Sequence, residues 1–413
     1  LDRNFDLGRS HLRAYDNDLK FVVDYAEYKE IDAESTVRED MKDPYCDFIL
    51  KISPVEELIG RRFVKGIGMS SAKGITEQAD NQKLKVDQEG SFINFAYMYA
   101  REIIDNLPSQ YINQETPIKV RAGACIPTAE YYSDNYIQMK EKLSGVYAVY
   151  FPVADKTVRF EIEEKGGIVV SPEGPAAMEP LLRYGSNEDV ELIETTSGMI
   201  MDIGYGSTDA TPVDEGEPKG DVARSFSYGG ITLRSSVASA IEREGYSVTQ
   251  SNITLAIERG YIRKNDDKEN VGELVVNCKK RLAKKVKQST AEVMNEDFRQ
   301  IADLSYLFCT GRNFKSSSDS ALEEVVNGKK CDIGDLKEEL KEVWGNTIKI
   351  FTPYMEDKPF KCLNRTKTDR LGNYVIEDKV DEYEFANVYG LGVARRSDED
   401  EDFDDAGNES TAI

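Results

Sequence analysis

A hairpin-like stretch around residue 202 combines residue types that can hold phosphate and a divalent cation. The apolar run 199–201 ends on Asp202, and small residues and a second carboxylate follow it: Gly204, Tyr205, Gly206, Ser207, Thr208 and Asp209. A strand, a tight turn and a second strand place backbone amides in a concavity suited to phosphate. Asp202 is suited to hold Mg²⁺ through water, because that ion keeps several waters and takes only one or two carboxylates.

A second copy of the pattern lies near the start of the sequence. It begins at Asp6 and continues through Gly8, Arg9, Ser10, His11 and Arg13. One such turn is ordinary in a β-hairpin, but two copies predict two related domains that grip one polyphosphate from both sides. The Walker A and Rossmann glycine patterns are absent. The sequence therefore predicts a phosphate site of the hairpin type.

Predicted elements of the first half surround the Asp6 hairpin. Apolar residues at i, i+3 and i+4 predict a helix over 91–106, and another is predicted to begin at 127–130. Residues 69–85 are polar without periodicity and are interpreted as a loop. Strands are predicted at 12–15, 19–25, 47–52, 62–67, 118–125, 146–153, 158–162 and 168–170.

The second half repeats this scheme. Strands are predicted at 199–202, 223–228, 304–308 and 347–351, and helices at 232–242, 275–304 and 336–344. The long helix carries the main basic cluster: Lys279, Lys280, Arg281, Lys284, Lys285 and Lys287. We interpret this cluster as a solvated helix face or, alternatively, as a contact for an acidic patch on a neighbouring chain.

The order of these features resembles the actin, sugar-kinase and heat-shock-chaperone ATPase superfamily, and most closely the ParM-type bacterial actins that segregate plasmids. The match runs through nearly the whole chain, and segments 86–89 and 92–97 resemble a stretch common in the Gram-positive branch. The resemblance implies an α/β, actin-like ATPase fold in which two ribonuclease-H-like domains flank a nucleotide cleft.

The resemblance also implies the domain boundaries. Domain I is expected to comprise residues 1–172, completed by a closing segment at 384–396. Domain II is expected to comprise residues 173–383. Residues 397–413 form an acidic run that cannot bury enough apolar surface to order itself, so a disordered tail is predicted there.

By the same resemblance, the two hairpins are the phosphate loops of the family. Gly8, Ser10 and Arg13 are expected to hold the β-phosphate, while the small residues of the second hairpin hold the γ-phosphate. Mg²⁺ is expected to bridge the phosphates, with Asp6 and Asp202 arranging its waters.

Three further segments match family motifs. Segment 170–174 contains Glu173, which corresponds to the glutamate that positions the attacking water. Segment 228–232 is similar to the loop beside the ribose and implies contacts from Gly229 and Gly230. Segment 308–312 lies where the adenosine loop is expected and implies contacts from Thr310, Gly311 and Arg312. The simpler interpretations stay open: the aspartates cap turns, Glu173 is a loop carboxylate and the glycines begin a helix.

Two departures from the family pattern concern nucleotide recognition. Arg13 stands where a ParM-type protein usually has lysine, and the adenosine loop reads Thr-Gly-Arg where most relatives carry two or three glycines. The sequence therefore leaves the choice between ATP and GTP open. Segment 315–331 is also longer and more polar than the usual helix after that loop, as in a family-specific insertion.

Composition limits the classes of protein. The 413 residues suffice for two domains with sizeable cores, and a content of 40 % hydrophobic and 9 % aromatic residues is ordinary for a globular protein. The net charge of −23 argues against direct nucleic-acid binding, which depends on Lys and Arg. It also predicts that any polymerisation responds to salt.

The cysteines and the apolar stretches indicate the compartment. Six cysteines are scattered without a Cys-x-x-Cys pair, and no secretory segment is recognised, which predicts unpaired thiols in a reduced cytoplasm. No apolar stretch approaches the roughly 18 residues that span a bilayer, so no membrane association is expected. His11 is the only histidine, which argues against a Ser-His-Asp relay or a His-rich metal site.

The function implied by the resemblance is that of an ATPase that self-associates into helical filaments, with hydrolysis coupled to assembly and disassembly. Such filaments segregate plasmid or phage DNA through a ParR-like, DNA-binding adaptor protein. The alternatives are a sugar or metabolite kinase of the same superfamily and an actin-like cytoskeletal scaffold. A chaperone-type ATPase is disfavoured because no β-rich peptide-binding domain follows.

Overall fold

The computed structural model of the chain describes residues 1–8, 11–16, 20–32, 34–35, 43–70, 72, 76–77, 83–265, 267–297, 303–311, 325–345, 347–355, 360–369, 373–377, 383 and 385–395. The chain divides into two compact units. Unit 1 comprises Leu1–Arg183 and Met355–Ile413, and unit 2 comprises Tyr184–Tyr354.

The first part of unit 1 is rich in strands. They are Asp2–Leu7 (β1), His11–Tyr15 (β2), Lys20–Tyr25 (β3), Tyr28–Ile31 (β4), Asp47–Ile52 (β5), Arg62–Lys65 (β6), Thr76–Glu77 (β7), Ile118–Ile126 (β8), Gly145–Phe151 (β9), Lys156–Ile162 (β10) and Ile168–Pro172 (β11). The helices are Glu89–Asn106 (α1), Thr128–Glu130 (α2), Tyr136–Leu143 (α3) and Pro175–Tyr184 (α4), and a 3₁₀ turn spans Lys85–Asp87.

Unit 2 alternates strands with longer helices. Its strands are Ser197–Ile203 (β12), Thr208–Asp214 (β13), Glu217–Pro218 (β14), Arg224–Phe226 (β15), Tyr261–Lys264 (β16), Asp267–Asn270 (β17), Tyr306–Thr310 (β18), Val325–Val326 (β19), Lys329–Lys330 (β20) and Lys349–Phe351 (β21). Its helices are Asn187–Thr195 (α5), Gly230–Arg243 (α6), Gln250–Arg259 (α7), Gly272–Asp297 (α8) and Leu336–Trp344 (α9). The chain then returns to unit 1 with Lys361–Thr368 (β22), Tyr374–Glu377 (β23) and a helix over residues 385–395 (α10).

Both units contain the same five-strand arrangement. In unit 1 the order is β3-β2-β1-β8-β11, and in unit 2 it is β15-β13-β12-β18-β21. In each arrangement, neighbouring strands among the first three are antiparallel, and the last two strands run parallel to the third. This repeated order is that of the ribonuclease-H-like domain, so the predicted α/β fold with two such domains is confirmed.

Unit 1 extends this arrangement on both sides. The strands β10, β9, β5, β6, β4 and β7 continue the sheet beyond β8, and β22 and β23 add to β3. The core lies between the sheet and α1, where the Phe5 ring lies 5.2 Å from that of Phe95 and the Tyr99 ring lies 5.0 Å from that of Phe160. The predicted helix is therefore observed, but α1 is buried on every side from Ser91 to Ile103 rather than along one apolar face.

The observed unit boundaries differ from the expected domain boundaries at residues 172 and 383. Helix α4 falls within unit 1 up to Arg183. Strand β22 pairs in parallel with β3, from Lys361 opposite Lys20 to Asn364 opposite Val23, so the chain rejoins unit 1 well before residue 384. The ladder hydrogen bonds to β3 are the physical reason for this earlier return. The predicted acidic tail, 397–413, lies outside the described residues.

The basic cluster on α8 is not a simple solvated face. Lys279 is buried and donates to the Gly334 carbonyl oxygen at 2.9 Å. Lys280 pairs with Glu342 at 3.2 Å, and Lys287 donates to the Val343 carbonyl oxygen at 2.7 Å. These contacts join α8 to α9 and to the segment that precedes it. The solvated-face interpretation is wrong for the buried Lys279, whereas Lys280 is 39 % exposed and agrees with it. No helix in the described ranges is long and apolar enough to cross a membrane.

Candidate functional site

The first predicted hairpin places Asp6 at the carboxyl end of β1. Asp6 lies opposite Arg13 of β2 and beside Cys125 of β8. The Arg13 guanidinium donates to Asp6 Oδ2 at 3.1 Å, and both side chains are nearly buried. Arg13 therefore pairs with the aspartate of its own hairpin, and its predicted contact with phosphate stays a prediction. Ligands of open α/β sheets bind outside the carboxyl ends of strands, which is where this pair lies.

Glu173 lies at the end of β11, in the same sheet. Its backbone nitrogen donates to the Ile126 carbonyl oxygen at 2.7 Å, and its carbonyl oxygen accepts from Thr128 Oγ1 at 2.6 Å. The next residue, Gly174, donates through its nitrogen to Asn387 Oδ1 of α10 at 3.1 Å. A backbone carbonyl of β8 and side chains of α2 and α10 therefore hold the backbone of the segment that carries the predicted catalytic glutamate.

Lys85 joins Asp6 to Glu173 and was not among the predicted site residues. Its side chain is 4 % exposed, and its Nζ donates to Glu173 Oε1, lies 3.6 Å from Asp6 Oδ1 and donates to the Cys125 carbonyl oxygen at 3.3 Å. Burial lowers the pKa of Lys85, but the nearby carboxylates of Glu173 and Asp6 outweigh it and raise that pKa above its ordinary value. Lys85 is therefore a buried cation between two predicted catalytic carboxylates.

The second hairpin gives unit 2 a matching arrangement. Asp202 lies at the carboxyl end of β12, opposite Asp209 of β13 and beside Thr310 of β18. This is the register that Asp6 has with Arg13 and Cys125. Ser207 Oγ donates to Asp209 Oδ2 at 3.2 Å, which links the turn to its second carboxylate.

The predicted ribose loop packs directly onto this turn. The Gly230 nitrogen donates to the Gly204 carbonyl oxygen at 3.0 Å, and Thr208 Oγ1 donates to the Tyr228 carbonyl oxygen at 2.8 Å. A side chain at Gly229 would overlap the Gly204 carbonyl oxygen and lie 2.9 Å from that of Ser207. Glycine is therefore required at 229, and α6 begins against the hairpin.

The predicted adenosine loop also reaches the second hairpin. Gly311 follows β18 with a φ of +100°, which favours glycine. A Cβ at this position would overlap the Ile203 carbonyl oxygen and lie 2.7 Å from Asp202 Oδ1. Three segments that the sequence separated by up to about a hundred residues thus meet around Asp202.

The remaining predicted residues have other settings. His11 lies in β2 with its ring 6.1 Å from that of Tyr25, and Tyr205 is 47 % exposed at the tip of the turn. Arg9, Ser10 and Arg312 lie outside the described residues, as does most of the expected insertion at 315–331. All six cysteines are buried without a disulfide among them, as the spacing predicts.

Each aspartate, taken within its own unit, suits a metal that is held mainly by water and phosphate. No group of three or more His, Cys, Asp or Glu side chains suited to a metal occurs within the described ranges. Mg²⁺ needs few protein ligands because it keeps several waters. Asp6 already lies next to the cations of Arg13 and Lys85, which favours contact through water over direct ligation. The predicted metal roles of Asp6 and Asp202 stay predictions.

Gly311→Ala is expected to lower the free energy of unfolding by about 2–4 kcal/mol, from the positive φ and the overlap with the Ile203 carbonyl. Gly245→Ala is the matched control: φ there is +77°, but nothing lies within 4 Å of an added Cβ. Its cost should be about 1–2 kcal/mol. Urea unfolding of both variants measures the difference, and equal costs would show that the close approach to Asp202 is unimportant.

Comparisons with known proteins agree with this architecture. No protein-family profile and no curated protein sequence matches the chain. Among solved structures, the actin-like protein Alp7A is 13 % identical with a TM-score of 0.66, and the match covers 99 % of each chain. The archaeal actin homologue Ta0583 is 14 % identical with a TM-score of 0.63, covering 96 % of this chain and 99 % of its own.

A ParM filament is also similar. The 15-stranded ParM filament from Clostridium botulinum is 14 % identical with a TM-score of 0.57, and the match covers 94 % of this chain and 97 % of the ParM chain. At such identities the likeness establishes the fold, and it does so over nearly the full length of the chain. The repeated sheet order and these neighbours together show that the chain has the actin-like fold.

Proposed function

We propose that the chain is a ParM-type, filament-forming ATPase whose hydrolysis of ATP controls assembly and disassembly. The observation that carries the proposal is the repeated placement of Asp6 and Asp202 at equivalent ends of two equivalent sheets. A chain built this way can offer one carboxylate-bearing hairpin from each unit to the same nucleotide. The nucleotide and the sharing of it by both hairpins are parts of the proposal.

Two structural neighbours support it. Ta0583 has been solved in complex with ADP, at a TM-score of 0.60 to this chain. The ParM of Clostridium botulinum has been solved as a filament. We infer nucleotide binding and self-association for this chain from these likenesses together with the site residues described above.

The proposed chemistry is transfer of the γ-phosphoryl group to water. The oxygen of water forms a bond to the γ-phosphorus, and the bond from that phosphorus to the bridging oxygen breaks. The electron pair of the broken bond stays with ADP, and Glu173 accepts the proton of water. Hairpin amides would hold the phosphates, joined by the Ser207 hydroxyl if it turns away from Asp209. The buried Thr208 hydroxyl instead holds the turn to Tyr228. A bound Mg²⁺ supplies neutralisation of phosphate charge, with Asp6 and Asp202 orienting its waters.

The proposed filament links nucleotide state to polymer stability. If subunits associate more tightly with ATP than with ADP, hydrolysis shifts the equilibrium towards free subunits. A head-to-tail contact that does not close generates an open helix. Because the chain carries a net charge of −23, DNA cargo would be reached through a basic, ParR-like adaptor. GTP is the alternative nucleotide.

Sedimentation with different nucleotides tests this function. The chain, at a concentration on the order of tens of micromolar, is centrifuged with Mg²⁺ and one nucleotide. The nucleotides are ATP, GTP, ADP and a slowly hydrolysed ATP analogue. The proposal predicts pelleting with the triphosphates, persistence with the analogue and loss of the pellet after hydrolysis. The amount of protein that pellets should also change with added salt, because salt screens the charges of the chain. A chain that stays in the supernatant with every nucleotide, while phosphorylating a sugar, would instead be a kinase.

A further inference from the structure

The ammonium of Lys85 lies where three strand ends of unit 1 meet. It contacts Asp6 at the carboxyl end of β1, the Cys125 carbonyl of β8 and Glu173 after β11. The backbone nitrogen of Lys85 donates to Glu130 Oε2 at 2.7 Å. The Lys142 ammonium donates to the Val86 carbonyl oxygen at 2.8 Å. The 3₁₀ turn is therefore anchored on both sides, and the lysine side chain is directed at the carboxylates.

A second buried lysine shows what a purely structural lysine looks like in the same unit. Lys65 is fully buried, and its ammonium donates to the carbonyl oxygens of Tyr25 and Glu27 and to Asn94 Oδ1. None of these three partners is a carboxylate or belongs to the candidate site. Lys85 has two carboxylate partners instead, and both are proposed to take part in hydrolysis. The difference in partners, rather than burial, sets Lys85 apart.

We propose that Lys85 is a positioning residue for hydrolysis, which fixes the Glu173 carboxylate through Oε1 so that it accepts the proton of the attacking water. The inference rests on the proposed function. A glutamate can adopt several side-chain rotamers, and a buried cation on one oxygen selects among them at this site. The same ammonium also lies 3.6 Å from Asp6 Oδ1, so the first phosphate loop and the proposed catalytic glutamate share one cation.

Three variants test the role through the kinetics of hydrolysis. Lys85→Met is expected to lower the single-turnover rate about 10²-fold, since misplacing a catalytic group by about 1 Å has an effect of that size. The dissociation constant for a fluorescent ATP analogue should change less than about tenfold. Lys85→Arg keeps the charge and should recover part of the rate. In the Glu173→Gln background, either substitution should change the rate by no more than about twofold, because the group that it positions is absent.

The control is Lys65→Met, which removes an equally buried ammonium from unit 1 without touching Asp6 or Glu173. It should reduce stability but leave the rate per folded molecule within about twofold of wild type. If Lys85→Met fails to fold, Lys85→Arg in the two backgrounds carries the comparison.

Two results would overturn the proposal. One is that Lys85→Met slows hydrolysis by the Glu173→Gln variant by as large a factor as it slows hydrolysis by the wild-type chain. The other is that Lys85→Met loses stability but hydrolyses at the wild-type rate. A wild-type chain that does not hydrolyse ATP or GTP would overturn the proposed function itself. Hydrolysis by the wild-type chain, together with an unchanged rate in Lys85→Met, would overturn the positioning role alone.

Discussion

Glu173→Gln is expected to hydrolyse ATP at least about 10²-fold more slowly than the wild-type chain, while still binding it. Glutamine keeps the shape and the neighbours of the glutamate but is a far weaker proton acceptor. If hydrolysis triggers disassembly, filaments of this variant should outlast those of the wild type. Phosphate release and light scattering after one addition of ATP measure the two effects on the same sample.

Glu163→Gln is the matched control for this substitution. Glu163 belongs to unit 1 but is half exposed and pairs with Lys119 at the surface. Such a surface pair contributes about 0–1 kcal/mol, so rate and filament lifetime should equal those of wild type. Normal hydrolysis by Glu173→Gln would remove Glu173 from the chemistry, and slow hydrolysis with normal disassembly would separate hydrolysis from the filament cycle.

Arg365→Met is expected to lower the free energy of unfolding by about 3–5 kcal/mol, the usual effect of removing one member of a buried ionic group. The Arg365 side chain is 1 % exposed. Its guanidinium pairs with Asp105 and lies 3.5 Å from Glu102 and 3.8 Å from Asp24. Methionine would leave these carboxylates with less positive charge nearby. Urea unfolding gives the loss, and hydrogen exchange locates it.

The same substitution tests whether strand β22 belongs to unit 1. Arg365 lies on β22, which the sequence placed in domain II and which pairs with β3 of unit 1. Faster exchange is therefore expected in β3 and α1, with unit 2 unchanged. Lys367→Met on the same strand is the control, because its ion pair with Glu377 is largely exposed and should contribute under about 1 kcal/mol. Equal effects of both substitutions would contradict the buried network.

The hairpins and the main elements could be predicted because their signals are local. An apolar strand that ends on Asp-x-Gly specifies both a turn and a carboxylate within a few residues, and α1 has a clear helical period. Helix α9 begins and ends where the pattern predicted, at Leu336 and Trp344. The resemblance to actin-type ATPases added the order of the parts, which periodicity alone does not provide.

Lys85 was missed because its burial is not encoded near it in the sequence. It ends a polar stretch without periodicity, and its partners are 79 residues before it at Asp6 and 88 residues after it at Glu173. Only the meeting of three strand ends turns an apparent loop lysine into a buried cation. Lys279 of α8 was misjudged for a similar reason, because Gly334, which accepts its hydrogen bond, is distant in sequence.

Strand β22 was assigned to domain II, although it pairs with β3 of unit 1, because its sequence hardly resembles that of a strand. Its sequence, Lys361 to Thr368, contains three basic residues, an asparagine and two threonines. Its Arg365 is buried only because carboxylates from β3 and α1 surround it. A pattern based on apolar alternation cannot detect a strand whose burial depends on ion pairing.

We propose that hairpins from both units hold one nucleotide, and calorimetric titration with ATP and Mg²⁺ tests this directly. We expect one nucleotide per chain, with the affinity at least about tenfold weaker in Asp6→Asn and likewise in Asp202→Asn, a loss of about 1.4 kcal/mol or more each. Wild-type affinity in either folded variant, or two independent nucleotides per chain, would contradict it.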